Sequence, residues 1–211
     1  EDGRVFPGSV FIDASYEGDL LPGAGVAFTV GREANSTYGE SFNGIQTQRA
    51  TKNQLPAGID PYVVPGDPSS GRIEGVDGDP AGTDGAADGR LQAFCFRMVL
   101  TDVAANRVPI SQPPGYDEAD YELLFRAIEA GQDSGFFKFS LMPNRKTDSN
   151  NSGGISTDFI GRNHGPDWDW TTLDHDQREA LAGEHENWQR GLVWTLQNHP
   201  RVPAPVRGAY G

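Results

Sequence analysis

Apolar positions along this chain follow two patterns: unbroken or alternating runs in its first half and middle, and helical spacing toward its end. Residues 9–15 (Ser-Val-Phe-Ile-Asp-Ala-Ser) are β-branched and aromatic, then shrink to small residues, which predicts a buried strand running into a turn. Residues 27–30 predict a second short strand, and residues 31–48 a polar loop punctuated by glycine. Residues 91–101 form the most apolar run. They read as a strand buried on both faces, and residues 136–141 as another strand.

Two stretches carry the helical period. Tyr121, Leu124, Phe125 and Ile128 fall at i, i+3, i+4 and i+7 behind a capping Asp117, with Gly131 placed to end the helix near Ala130. Asp174 caps a longer helix in which Leu181, Trp188, Leu192 and Leu196 make one stripe, and Pro200 stops it. Strands and helices are interspersed, so the expected class is α+β, with no internal repeat. Residues 56–90 follow neither pattern. Eight Gly and five Pro sit there among few large apolar groups (Ile59, Tyr62, Val63, Val64, Ile73 and Val76), which predicts a partly mobile excursion.

Composition adds a core carrying long loops. Hydrophobic residues make up 36% with a mean hydropathy of −0.55, and 27 Gly and 15 Pro favour turns, while the 10% aromatic content opposes wholesale disorder. A net charge of −13 repels nucleic acid and anionic membrane, so neither is an expected partner. No run of 18 apolar residues is present. Cys95 is the single cysteine, so no internal disulfide forms and compartment is not read from redox chemistry. Glu1-Asp2-Gly3-Arg4 has neither an initiator Met nor a signal-peptide pattern, and strand-like residues follow at once, so the chain is expected to begin inside a fold.

Four constellations carry candidate chemistry. In Ile12-Asp13-Ala14-Ser15-Tyr16-Glu17-Gly18-Asp19-Leu20, small residues at a strand's end let backbone approach a ligand, and a helix beginning after the turn favours phosphate. Residues 147–158 (TDSNNSGGISTD) are rich in amides and hydroxyls. They can hold a polyol or a ring edge by directional hydrogen bonds, or form a plain polar loop, and Asn150, Asn151 and Asp158 are the substrate-side candidates. Arg97, in the most apolar strand, needs a partner: a structural carboxylate or an anionic ligand group. Asp77, Asp79, Gly82 and Asp88 echo a calcium loop, but Ala81 stands at its fifth position and Asp at its twelfth, so an acidic solvated loop is the expectation and no metal is assigned. The histidines at 164, 175, 185 and 199 lack metal-ligand spacing, and His175 and His185 are expected to decorate the long helix. Trp168-Asp169-Trp170 reads as a sugar-stacking platform or as an anchor where the helix begins.

The segment from Ile12 to Leu20 is similar to the Ile-Asp-Ala-Thr-Tyr-Glu-Gly-Asp-Leu signature of a bacterial FAD-dependent oxidoreductase family. The resemblance continues in order through Gly31-Arg32-Glu33, Tyr38-Gly39-Glu40, the run from Gln92 to Arg97 and the run from Asn106 to Pro109. It then covers Lys146 to Asn151, Ser156 to Gly161, Gln189 to Leu192 and Asn198 to Pro203. It implies a flavoenzyme with FAD as cofactor, in which the strand at 10–15 returns to a Rossmann-type domain completed by sequence outside this chain. Asp13, Ala14, Ser15, Gly18 and Asp19 would be flavin neighbours. Ser15 stands where that signature has Thr and keeps the hydroxyl.

No G-x-G-x-x-G is present: Gly23 and Gly25 supply two glycines, but Phe28 occupies the third position and no strand leads directly into them. The implied organisation is residues 1–50 as part of the FAD domain, 51–90 as the excursion and 91–211 as the substrate or cap region. The implied partners are a small-molecule substrate and the remainder of a longer polypeptide, with no catalytic residue assigned. The competing reading is a secreted carbohydrate-binding or carbohydrate-active module using Trp168, Trp170 and the acidic loop.

Overall fold

A computed structural model describes residues 3–158 and 170–211. Its core lies where the helical period is strongest. A 3-10 turn at Glu118–Tyr121 leads into α3 (Glu122–Glu129), which follows two single-turn helices, α1 (Leu20–Gly23) and α2 (Asn35–Tyr38). Asp117 caps the start by accepting from Ala119 N, and Gly131, at φ +100°, ends it as its position predicts. Leu124, Phe125, Ala127 and Ile128 are buried against Leu192, Val193 and Leu196 of α4 (His175–Asn198) and Val206 and Tyr210 of α5 (Ala204–Tyr210). The long helix opens with a reciprocal capping box between Asp174 and Gln177 and stops before Pro200. Gly191 sits mid-helix where Ala would be the better helix former. A Cβ there would run into the Tyr121 ring and hydroxyl, so the glycine admits the aromatic stack of Tyr116, Tyr121 and Trp188.

The sheet is small. β1 (Ser140–Met142) and β2 (Lys146–Asp148) pair antiparallel with Leu141 opposite Thr147. Residues 98–101 extend the ladder along the other edge of β2 through Met98–Ser149 and Thr101–Lys146 bridges. The fold is thus mixed helix and sheet, consistent with α+β, and the strand expected at 136–141 is shifted toward the hairpin, with Phe136 and Phe137 buried in the core instead.

Three expectations need correction. The run 91–101 is paired only in its second half, and Val99 is 70% exposed, because β2 covers one edge and no second layer among the described residues covers its outer face. Residues 9–15 form no strand. Ile12 is 83% and Tyr16 97% exposed, since no neighbouring strand among the described residues offers this ribbon a ladder. Residues 27–30 are also unpaired; the nearest pairing is one bridge between Arg32 and Asp88, whose side chains also form an ion pair.

Arg126 organises the Gly/Pro-rich stretch. Its guanidinium, 11% exposed, donates to the carbonyls of Asp60 (2.8 Å), Tyr62 (2.6 Å) and Val63 (3.2 Å) while Glu122 holds its Nε at 2.8 Å. Ile73 is buried and Ile59 packs against the core. The acidic loop disperses its carboxylates: Asp77 pairs with Arg90 at 3.4 Å, Asp84 accepts from Thr47 N, and Asp88 pairs with Arg32. Among the described residues no helix is long and apolar enough to cross a membrane.

Candidate cofactor and substrate site

The turn at 13–20 is built by its own side chains. Asp13 Oδ1 accepts from Ser15 N (2.9 Å) and Ser15 Oγ (2.7 Å), its Oδ2 accepts from Leu20 N (3.0 Å), and Ser15 Oγ accepts from Gly18 N (3.0 Å). These bonds, the serine pair foremost, hold the Asp13 carboxyl below its ordinary range. The helix that follows is one turn long and already capped by Asp13, so the phosphate-favouring helix start expected here is not formed. Ala14 and Gly18 keep the turn slim, and Asp19, 59% exposed, is tied to the long helix. Arg178 of α4 grips it with two bonds of 2.7 and 2.8 Å and also donates to Trp170 O and Thr171 O.

Trp170 joins this turn to the rest of the site. Its indole N–H donates to Glu17 Oε1 at 3.3 Å, its ring meets Phe94 edge-on at 5.6 Å, and the Arg178 guanidinium lies 5.6 Å over it. That is the anchor reading of this tryptophan rather than an open sugar platform; Trp168 and Asp169 lie outside the described residues, as does His164. Phe94 precedes Cys95, whose thiol is pushed up chiefly by partial burial, with the Asp158 charge adding to it.

The polar loop is clamped by one side of α4. Trp188 Nε1 donates to Ser156 O (3.1 Å), Gln189 Nε2 donates to Phe96 O (2.7 Å), and His185 Nε2 is 3.1 Å from Thr157 O. His185 does not decorate the helix. It is fully buried, stacked on Phe96 at 4.4 Å, and burial pushes its pKa down. Gly153, at φ +101°, lies so close to the Gly135 carbonyl that no side chain fits. Within the loop, Asp158 N is held by Ser156 Oγ (3.0 Å) and Thr157 Oγ1 lies 3.4 Å from the Asp158 carboxyl.

The predicted residues divide accordingly. Asp158 is buried, 8% exposed, and its carboxyl is raised by desolvation, with the weaker contacts of Cys95 and Thr157 opposing. Asn150 Oδ1 is buried with no hydrogen-bond partner among the described residues, an acceptor for a ligand N–H or O–H. Asn151 spends its Oδ1 on Thr157 N at 3.4 Å and so shapes the loop. Arg97 stands apart. Its side chain is 60% exposed and paired with Asp148, so the structural carboxylate expected for it is present but its burial is not. Sequence reasoning missed Arg178 and the buried placement of His185. Trp170 was legible as an anchor where the long helix begins, and Cys95 lay inside the Gln92–Arg97 run.

No curated protein and no solved structure matches the chain. The family model described as FAD dependent oxidoreductase matches it over residues 1–208. With that match running from the exposed ribbon through the capped turn and the clamped loop to α5, the chain belongs to the FAD-dependent oxidoreductase family.

Proposed function

We propose that this chain supplies the substrate side of its flavoenzyme, with the turn at 13–19 against the flavin and the loop at 147–158 against an organic substrate. FAD is the cofactor that family membership implies. When bound, its isoalloxazine supplies the chemistry by accepting a hydride. The chain's residues fit such a group in part. Ala14, Ser15 and Gly18 line an exposed turn that a planar ring edge can approach, and Asn150 Oδ1 offers an acceptor. They do not form a pyrophosphate cradle: Gly23 ends the single-turn α1 and Gly25 follows it, with no strand leading in, and Phe28 stands 52% exposed in the third position.

The observation that carries this reading is the Trp170 link, which ties the turn at Glu17 to Phe94 in the segment carrying Cys95. In the proposed site Asp158, whose carboxyl pKa burial raises, orients substrate, Asn150 accepts a substrate or ring hydrogen, and Phe94 excludes water. The exposed ribbon Val5–Phe6 and Val10–Ile12 packs against a Rossmann-type domain that supplies both the cradle and the missing strand neighbours.

The test is flavin retention. The 211-residue chain and the product of the complete gene are purified, denatured and assayed for released FAD. The expected result is no flavin with the chain alone and about one FAD per molecule with the complete product. Stoichiometric FAD from the chain alone defeats the external cradle. A colourless complete product that also fails to take up added FAD defeats the cofactor role itself.

A further inference from the structure

A concavity borders the polar loop. It is a cleft of about 360 Å³ between the end of the excursion, the start of α3 and the loop at 154–156. This volume sits at the small end of the ~300–1,000 Å³ typical of ligand pockets and fits a body of one or two rings. Leu55, Leu123, Leu124, Ile155 and Trp188 give it apolar walls, and Leu124 and Ile155 are otherwise buried in the core. Its charge is one-sided: Glu74, Asp77 and Asp120 line it, and no lining residue is basic.

These carboxylates are not equivalent. Asp77 is offset by Arg90 at 3.4 Å. Glu74 and Asp120 have no ion-pair partner among the described residues. Asp120 is half-buried, and desolvation, then the charges of Asp117 and Glu74, push its carboxyl up. The half-buried Asp120 beside an apolar wall favours a ligand that brings the opposite charge, with the exposed Glu74 at the same rim adding to that preference. An anion would be repelled. A bare metal ion would need converging oxygens, and no group of three or more His, Cys, Asp or Glu converges among the described residues.

We propose that this cleft is a binding site for an organic cation, a protonated amine carried on an aromatic or aliphatic ring. The ring lies on Leu123, Ile155 and Trp188 and the ammonium lies between Glu74 and Asp120. Trp188 is held rigid for that purpose, its indole N–H donating to Ser156 O and its other face stacked on Tyr121 at 5.0 Å. Of the polar loop, Gly154, Ile155 and Ser156 line this cleft, and Asn150 and Asp158 do not.

Calorimetric titration of the purified protein with phenethylamine, and with its neutral isostere 2-phenylethanol, tests this. The amine should bind at millimolar concentration or better, with the alcohol at least about tenfold weaker. Glu74→Gln, on an exposed turn where the fold has nothing at stake, should weaken the amine about tenfold without changing that for the alcohol, and Asp120→Asn should do the same. Equal binding of amine and alcohol, undetectable amine binding by the native protein, or amine affinity untouched by both substitutions would each overturn the proposal.

Discussion

The helical end of this molecule and its N-terminal ribbon contain similar apolar residues and reach opposite outcomes. Phe125 is 1% exposed, touching His199 at 4.6 Å with the Arg201 guanidinium 4.2 Å over its ring, whereas Phe11 is 68% exposed. The difference lies in what each element needs from the rest of the chain. A helix satisfies its own backbone and asks its neighbours only for an apolar face, which α3, α4 and α5 provide for one another. An extended run must find both a ladder and a covering layer. Residues 9–15 find neither among the described residues, and residues 98–101 find a ladder on one edge only.

Substitutions can break that comparison. Phe125→Ala should cost about 3–5 kcal/mol, read as a lowered denaturant midpoint, while Phe11→Ser in this chain should stay within about 0.5 kcal/mol. A large loss at Phe11 would mean that the ribbon is packed after all. The excursion belongs with the helical end despite its composition. Arg126→Ala should cost about 2–3 kcal/mol and speed protease cleavage within residues 56–90, because three carbonyls lose one donor. Unchanged cleavage would return that stretch to the mobile loop its composition suggests.

Gly191→Ala sharpens the contrast between local propensity and packing. On an exposed helix it would stabilise by about 1 kcal/mol, but here the Tyr121 ring must shift, and a loss of about 1–3 kcal/mol is expected by thermal melting.

Acid should act on the helical end through His185. Burial lowers its folded pKa below the ordinary 6.5, so as pH falls through 6.5 the unfolded chain takes up a proton that the folded chain refuses. Stability is therefore full above that value and declines below it, by at most about 1.4 kcal/mol per pH unit. Glu122, held low by Arg201 and Arg126 against the opposing effect of burial, adds its own loss only as pH falls below its ordinary 4.5. Melting temperatures between pH 7 and 5 should thus flatten in His185→Gln; an unaltered slope would exclude His185 as the source. The smallest effect is at a cap. Asp174→Ala should cost about 1 kcal/mol by removing the capping box of α4, measurable as a small drop in the denaturant midpoint.

What the sequence by itself determined was local. The two capped helices, their stop signals, the α+β class and the ordered run of motifs that carries the family are all written in near-neighbour spacing, and the structure and the family match agree with them. Asp158 and Asn150 were also legible as site candidates, because amides and acids concentrated in a glycine-bearing loop need no distant information. Tertiary structure decided the rest. Whether residues 9–15 are buried depends on neighbours outside the segment. His185 is indistinguishable from a surface histidine until Phe96 stacks on it, and the Arg97 run is a buried strand only if a second layer covers it. Arg126 and Trp170 hold segments more than 60 and 150 residues away, respectively, and no periodicity records contacts at that separation. Side-chain spacing encodes the face an element presents; what meets that face is set by the packing of the whole chain.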